Sequence, residues 1–375
     1  MLNRLQFPFR VLPAFVADRE ILHLVREQQH QLFAALLKGS ADHGRLADGC
    51  NFGTAPDAFY GHQEQREENV LRFLMELLPC LLIGFWVGRK HQELSVRLAA
   101  PLVRFGVPIS VMGLLLKGGL SGEMLVAALL AVVAITVVLL LAPRLPGCQG
   151  LRRPSLRLGS CIGNTAYFGV PLVLAFLPPE ALSVSIGYDL GATLLTWSLG
   201  PLFLGAGGTV SSGVAARRWL IQLSASPATR GLLGALLVQW SPWTAQVTEA
   251  LWLPSRLVIL LALMVLGMRL GSLSRDEQSM GGMPSGLLSP LLVKLVGYPL
   301  LLLLMGFGLR LDPLMIQALA LQGAAPTAIS LLLIAESVER DQKQAAALVF
   351  WSTIIALFTA PVWGFLLPRI MLLQG

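Results

Sequence analysis

Charge is what this chain of 375 residues has least of: Asp, Glu, Lys and Arg together make up 13%, about half the share of a soluble domain. A chain so poor in charge cannot cover a water-facing surface of ordinary polarity. Cysteine is also sparse. Cys50, Cys80, Cys148 and Cys161 show no metal or redox spacing, and Cys80 and Cys161 fall within apolar runs, where a thiol packs as a small hydrophobe. Of the five histidines, four precede residue 63, and no clustered Cys/His site is visible. Gly-x-Ser-x-Gly, Walker A, dinucleotide-binding and His-Glu-x-x-His motifs are missing as well. No enzymatic activity, ATP-driven pumping, resident cofactor or metal is therefore expected. There is no signal-peptide core at the start.

What is present in excess is apolar sequence. Hydrophobic residues are 55% of the chain and the mean hydropathy is +0.69. Runs of about twenty apolar residues recur from Val70 onward, each long enough to cross roughly 30 Å of hydrocarbon. The expected spans are 70–88, 97–116, 124–142, 156–177, 184–205, a weak one at 231–247, then 251–271, 287–309, 314–336 and 345–367. They define an all-α polytopic membrane protein of ten helices, residues 69–205 and 231–375 forming its halves and 206–230 a polar connection. Residues 1–68 are different in composition and read as a flexible tail or an artefact of the start site, since Met75 offers a later start; an amphipathic helix over 19–37 is the rival reading.

The net charge of +7 does not indicate nucleic acid, because basic residues alternate from loop to loop. Roughly fourteen Lys and Arg fall on one side, among them Arg89, Arg152, Arg217, Arg269 and Arg340, against three (Lys117, Arg310, Arg369) on the other. Positive charge stays cytoplasmic, which places both termini outside and the 206–230 connection inside, in the plasma (inner) membrane. The partners expected are an anionic small molecule and the bilayer, with a homodimer left open.

Five spans followed by five require the second half to enter the membrane inverted. The fourth span of each half is interrupted by glycine and proline: Gly163, Gly169 and Pro171 in one, Gly323 and Pro326 in the other. Proline removes a backbone donor and glycine loosens the helix. In lipid the freed groups are costly unless they line a cavity or bind something. Paired breaks in inverted halves point to a central transport site.

The stretch Gly163-Asn164-Thr165-Ala166-Tyr167-Phe168-Gly169-Val170-Pro171 resembles the signature of the auxin efflux carrier family of permeases, within the bile/arsenite/riboflavin transporter superfamily. Ser226-Pro227, Gly267, Lys294 to Pro299 and Ser352-Thr353 follow in fitting order, so the resemblance covers about 70–370. Ala166 departs from a common glycine, and the seventh span lacks a proline before Gly267. The family implies an inverted-repeat fold in which helices 4 and 9 break and cross, and a transport domain that slides against a scaffold. Bacterial members are associated with small carboxylates.

On this resemblance Asn164 and Thr165 bind a carboxylate or satisfy the broken helix's own carbonyls. Pro171 and Pro326 are the expected breaks, with Gly163, Gly169 and Gly323 as hinges. Tyr167 either touches the solute or packs; Gln322 and Thr327 flank the second break as further binding candidates. Asp189, in the fifth span, is a candidate coupling site or an interfacial group that stays wet, since a carboxylate deep in lipid is costly. Lys294 attracts an anion or snorkels to the surface, Arg104 and Arg256 snorkel or support packing, and Glu336, Glu339 and Asp341 read as solvated loop residues.

Overall fold

The computed structural model describes residues 74–75, 77–119, 121–144, 149–205, 215–275, 283–284 and 286–372. The readings for residues 1–68, including the helix at 19–37, lie outside the described residues. All regular structure among the described residues is helical; the only β-type pairing there is a single bridge. Five of its helices are long and apolar enough, by length and composition, to cross a membrane.

In chain order, α1 spans 77–90. Next come α2 (Gln92–Pro101) and α3 (Val107–Gly118), which run on through a π turn at Leu102–Gly106, and α4 (Gly122–Leu141). The first broken span is α5 (Pro154–Gly159), an extended link, and a second limb made of a π turn (Thr165–Gly169) leading into α6 (Val170–Phe176). Then follow α7 (Ala181–Gly205), α8 (Ala215–Ala225), α9 (Pro227–Gln239) and α10 (Thr244–Arg275). The helices α11 (Leu288–Leu292) and α12 (Tyr298–Gly308) flank a third π turn at Val293–Gly297. The second broken span is α13 (Pro313–Ala324) and α14 (Ser330–Ser337), and α15 (Gln342–Leu372) ends the described chain.

Several boundaries differ from expectation, α10 for one starting at Thr244 rather than 251, and two differences change the reading. The weak sixth span is not 231–247: α9 starts at Pro227 and stops at a turn over 240–243, where Ser241-Pro242 denies the helix its next donor. Trp240 and Trp243, both exposed in that turn, suit the lipid–water interface. The 206–230 connection is not wholly loop either, since α8 occupies 215–225.

The three π turns share one local cause. Each ends in Gly-x-Pro: Gly106-Val-Pro108, Gly169-Val-Pro171 and Gly297-Tyr-Pro299. Proline lacks a donor and its ring clashes with the carbonyl four residues back. The chain answers by taking one i→i−5 bond just before each proline: Val107 to Leu102, Val170 to Thr165 and Tyr298 to Val293. Trp363 completes the repair at one of them. Its indole Nε1 donates to the Leu295 carbonyl over 2.9 Å, the acceptor that Pro299 leaves without its helical partner.

Helices pack through small residues, as expected where lipid supplies no hydrophobic drive between them. Gly84 and Gly88 on α1 face Gly267 and Gly271 on α10; a Cβ at Gly84 would lie 2.2 Å from the Met264 carbonyl oxygen, and one at Gly267 would lie 2.3 Å from that of Leu81. Gly187 and Gly191 on α7 meet the backbone of α4 at Met124 and Ala128 in the same way. These contacts gather α1–α3, α9 and α10 into one group. The other group is α4–α7 with α11–α15, and the two meet more sparsely. The outward faces carry exposed Leu82, Leu125, Leu129, Leu237, Leu304 and Phe358, a pattern suited to lipid rather than water.

Candidate functional site

The two broken spans meet through their backbones. The Asn164 N–H donates to the Pro326 carbonyl over 2.7 Å, and the Ala328 N–H donates to the Ile162 carbonyl over 3.4 Å. Gly163 and Thr327 thus form an isolated antiparallel bridge. Extended backbone at membrane depth has to be satisfied by protein, and here each break satisfies part of the other.

The breaks are placed differently from the sequence reading in one respect. Pro326 lies in the second break, between α13 and α14. Pro171 does not mark the first: it sits in the opening turn of α6, inside the limb Thr165–Phe176. The link over 160–164 is what departs from the helix, because Gly163 and Asn164 pair with the other span. Gly169 is helical, within the π turn, and Gly323 lies in the last turn of α13.

Side chains tie the crossover to its surroundings. The Thr327 N–H donates to Ser352 Oγ on α15 (3.1 Å), and its hydroxyl donates to the Gly159 carbonyl at the end of α5 (3.0 Å). Its N–H and its hydroxyl are thereby used in holding the breaks together. Thr165 Oγ1 donates to Asp189 Oδ1 on α7 over 2.5 Å, and Thr193 Oγ1 reaches the same oxygen at 3.4 Å. The Ala166 N–H also bonds this carboxylate. Asp189 is 4% exposed, so it is not a wet interfacial group. It stands at the N-terminus of the limb Thr165–Phe176, where a negative charge meets free amides and the positive end of the helix dipole.

Lys294 takes the complementary place. Its side chain is wholly buried, not snorkelling, and Nζ donates to the Gly323 carbonyl at the C-terminal end of α13 over 2.7 Å. A cation there meets the negative end of that helix. Nζ also lies 5.0 Å from the centre of the Tyr298 ring, and a Cβ on Gly163 would be 3.4 Å from it. The ammonium therefore sits against the first break while bonding the second. Tyr298 in turn accepts from Tyr188 of α7, hydroxyl to hydroxyl at 2.7 Å, both rings buried. Composition alone does not separate this lysine from one that reaches out to the interface; the one local signal is its position three residues before Gly297-Tyr-Pro299, on a π turn.

The remaining candidates fall into place around this centre. Gln322 is fully buried and neither amide atom has a hydrogen-bond partner; its Oε1 lies 2.2 Å from where a Cβ on Gly169 would be. The Asn164 side chain, 5% exposed, makes no hydrogen bond to the described residues. Tyr167 is half-buried and hydrogen-bonds Ser110 of α3. Arg104 and Arg256 are exposed and lie over Phe105 and Trp252, as snorkelling side chains do. Glu336 is not merely solvated: it holds Arg269 in a two-pronged ion pair of 2.8 and 3.0 Å. Asp341 accepts from Ser155 at 3.0 Å. No group of three or more His, Cys, Asp or Glu residues suited to a metal ion occurs among the described residues.

Apolar helices of membrane-spanning length, with a buried lysine, a buried aspartate and an unpartnered glutamine amide gathered where two broken segments cross, define a membrane transporter. The chain belongs to the membrane transport protein family, the auxin efflux carrier-like permeases, whose model matches residues 123–364. It is also similar to an uncharacterized transporter of Methanothermobacter thermautotrophicus, 22% identical over 306 residues that cover 78% of this chain and 97% of that one.

Proposed function

We propose that the chain is a secondary or facilitative carrier of small organic anions, carboxylates foremost, working by alternating access at the crossover. On this reading ten spanning helices form two inverted five-helix repeats, with both termini outside the plasma (inner) membrane and the α7–α9 connection inside. The observation that carries the reading is the backbone pairing of Asn164 with Pro326, which brings two broken spans to one point. Buried there are the unpartnered amide of Gln322, the Asn164 side chain and the Lys294 ammonium. Amide donors and a cation are the groups a carboxylate requires. The helix end at Thr165 already faces the protein's own carboxylate, Asp189, so the anion's place falls to the Lys294 side of the crossing.

A cation-coupled antiporter or symporter of the same fold is the second reading, and Asp189 favours it. A buried carboxylate held by two hydroxyls and an amide is a natural place for a proton to be taken up and released. Uptake and efflux of a carboxylate panel in proteoliposomes, with and without a pH or sodium gradient, tests both. The first reading expects saturable carboxylate flux; its absence across the panel sinks it. Under the second, Asp189→Asn abolishes the response to the gradient, and an undiminished response removes coupling at this residue.

A further inference from the structure

Arg269 and Glu336 join the two helix groups. Arg269 lies on α10, which packs with α1–α3, whereas Glu336 lies near the end of α14, the second limb of a broken span. The pair is bidentate, and its partners differ in exposure: the Arg269 side chain is 8% exposed and that of Glu336 32%. The pair is therefore partly open to water at Glu336, where α14 ends, and closed at Arg269. Immediately beyond it, Arg340 donates to the terminal carbonyls of α7 at Leu204 and Gly205 (3.2 and 3.1 Å), and Asp341 accepts from Ser155 on α5. Those bonds stay within the second group. The Arg269–Glu336 pair crosses between the groups, so any movement of one past the other at this end has to part it.

We propose that Arg269 and Glu336 form a latch that closes the route from this end of the molecule to the crossover. The proposal rests on the alternating-access reading for its purpose. Its physics is local. A guanidinium and a carboxylate held at this geometry, with Arg269 buried, keep the ends of α10 and α14 together. Once the groups separate and water enters, each charge is hydrated and the bond no longer resists opening. The latch thus favours the closed state on this side without preventing the open one.

The test uses Cys161 as reporter. It is 1% exposed, two residues before Gly163 at the first break, and becomes reachable only when a route to the crossover opens. With Cys50, Cys80 and Cys148 replaced by Ser, Cys161 is labelled with a membrane-impermeant methanethiosulfonate in vesicles of known orientation. Glu336→Gln should speed labelling about tenfold from the Arg269 side and leave the rate from the other side unchanged. The reversal Arg269→Glu with Glu336→Arg should slow it again. Should Glu336→Gln fail to reach the membrane, Arg269→Lys, which keeps the charge but loses the fork, should give a smaller acceleration from that same side. Unchanged labelling, equal acceleration from both sides, or no slowing on charge reversal overturns the latch. Labelling needs no solute, so a chain that moves no carboxylate yet labels from one side keeps the latch and loses the carboxylate reading.

Discussion

Lys294 donates to the carbonyl of Gly323 over 2.7 Å from a fully buried position, and among the described residues no carboxylate forms a salt bridge with it. The charge is held by a helix end and placed against the facing break. A buried ammonium kept without a counter-ion is costly to the fold; under the proposed carrier function, an anionic solute would supply that counter-charge.

Lys294→Met separates these effects. The lost charged hydrogen bond, about 1.5–3 kcal/mol, is offset by no longer burying an ammonium. The unfolding midpoint in detergent should therefore change little, while the KM for carboxylate uptake rises at least tenfold. A large loss of stability with unaltered KM would make Lys294 a purely architectural residue.

The α1–α10 contact should tolerate no added side chain. Gly267→Leu places a Cβ about 2.3 Å from a backbone oxygen, and parting two close-packed helices costs on the order of 1–3 kcal/mol or more. Gly122, with nothing within 4 Å of an added Cβ, is the control. Gly122→Ala should be neutral or stabilising by up to about 1 kcal/mol. Thermal unfolding of both variants in detergent checks the contrast.

Trp363 and Pro299 should be energetically coupled. Trp363→Phe leaves the Leu295 carbonyl without a donor, at a cost of about 1–3 kcal/mol. With Pro299→Ala the helix regains its own N–H for that carbonyl, so the same tryptophan substitution should cost less. A double-mutant cycle on unfolding free energy measures the difference; strict additivity would mean that the indole does not stand in for the missing helical donor.

The helices were legible in the sequence because a lipid-facing span needs about twenty apolar residues and little else. Runs such as 124–142 declare themselves by composition. The break was legible only in part. Glycine and proline announce irregularity, but they do not say whether it takes the form of a π turn or a parted helix. Pro171 is absorbed by the bond from Val170 to Thr165, and the parting occurs at Gly163 and Asn164, where a distant segment around residues 326–328 supplies the hydrogen bonds. The charges were the least legible. Lys294, Asp189 and Glu336 each owe their role to a partner on another helix, and no local pattern records that. Sequence placed Asn164, Thr165, Gln322, Pro326 and Thr327 near the centre. It could not show that Thr327 spends its N–H and its hydroxyl on architecture while Gln322 has neither amide atom bonded.

The most direct test of the account is carboxylate flux into proteoliposomes by the wild-type chain and by Asn164→Ala. The substitution keeps the backbone N–H that bonds Pro326 and removes only the side-chain amide, so the fold should persist. The account predicts saturable flux of at least one carboxylate in the panel, reduced at least tenfold by Asn164→Ala with insertion and unfolding midpoint unchanged. No flux of any carboxylate, with the two proteins indistinguishable across the panel, would contradict it.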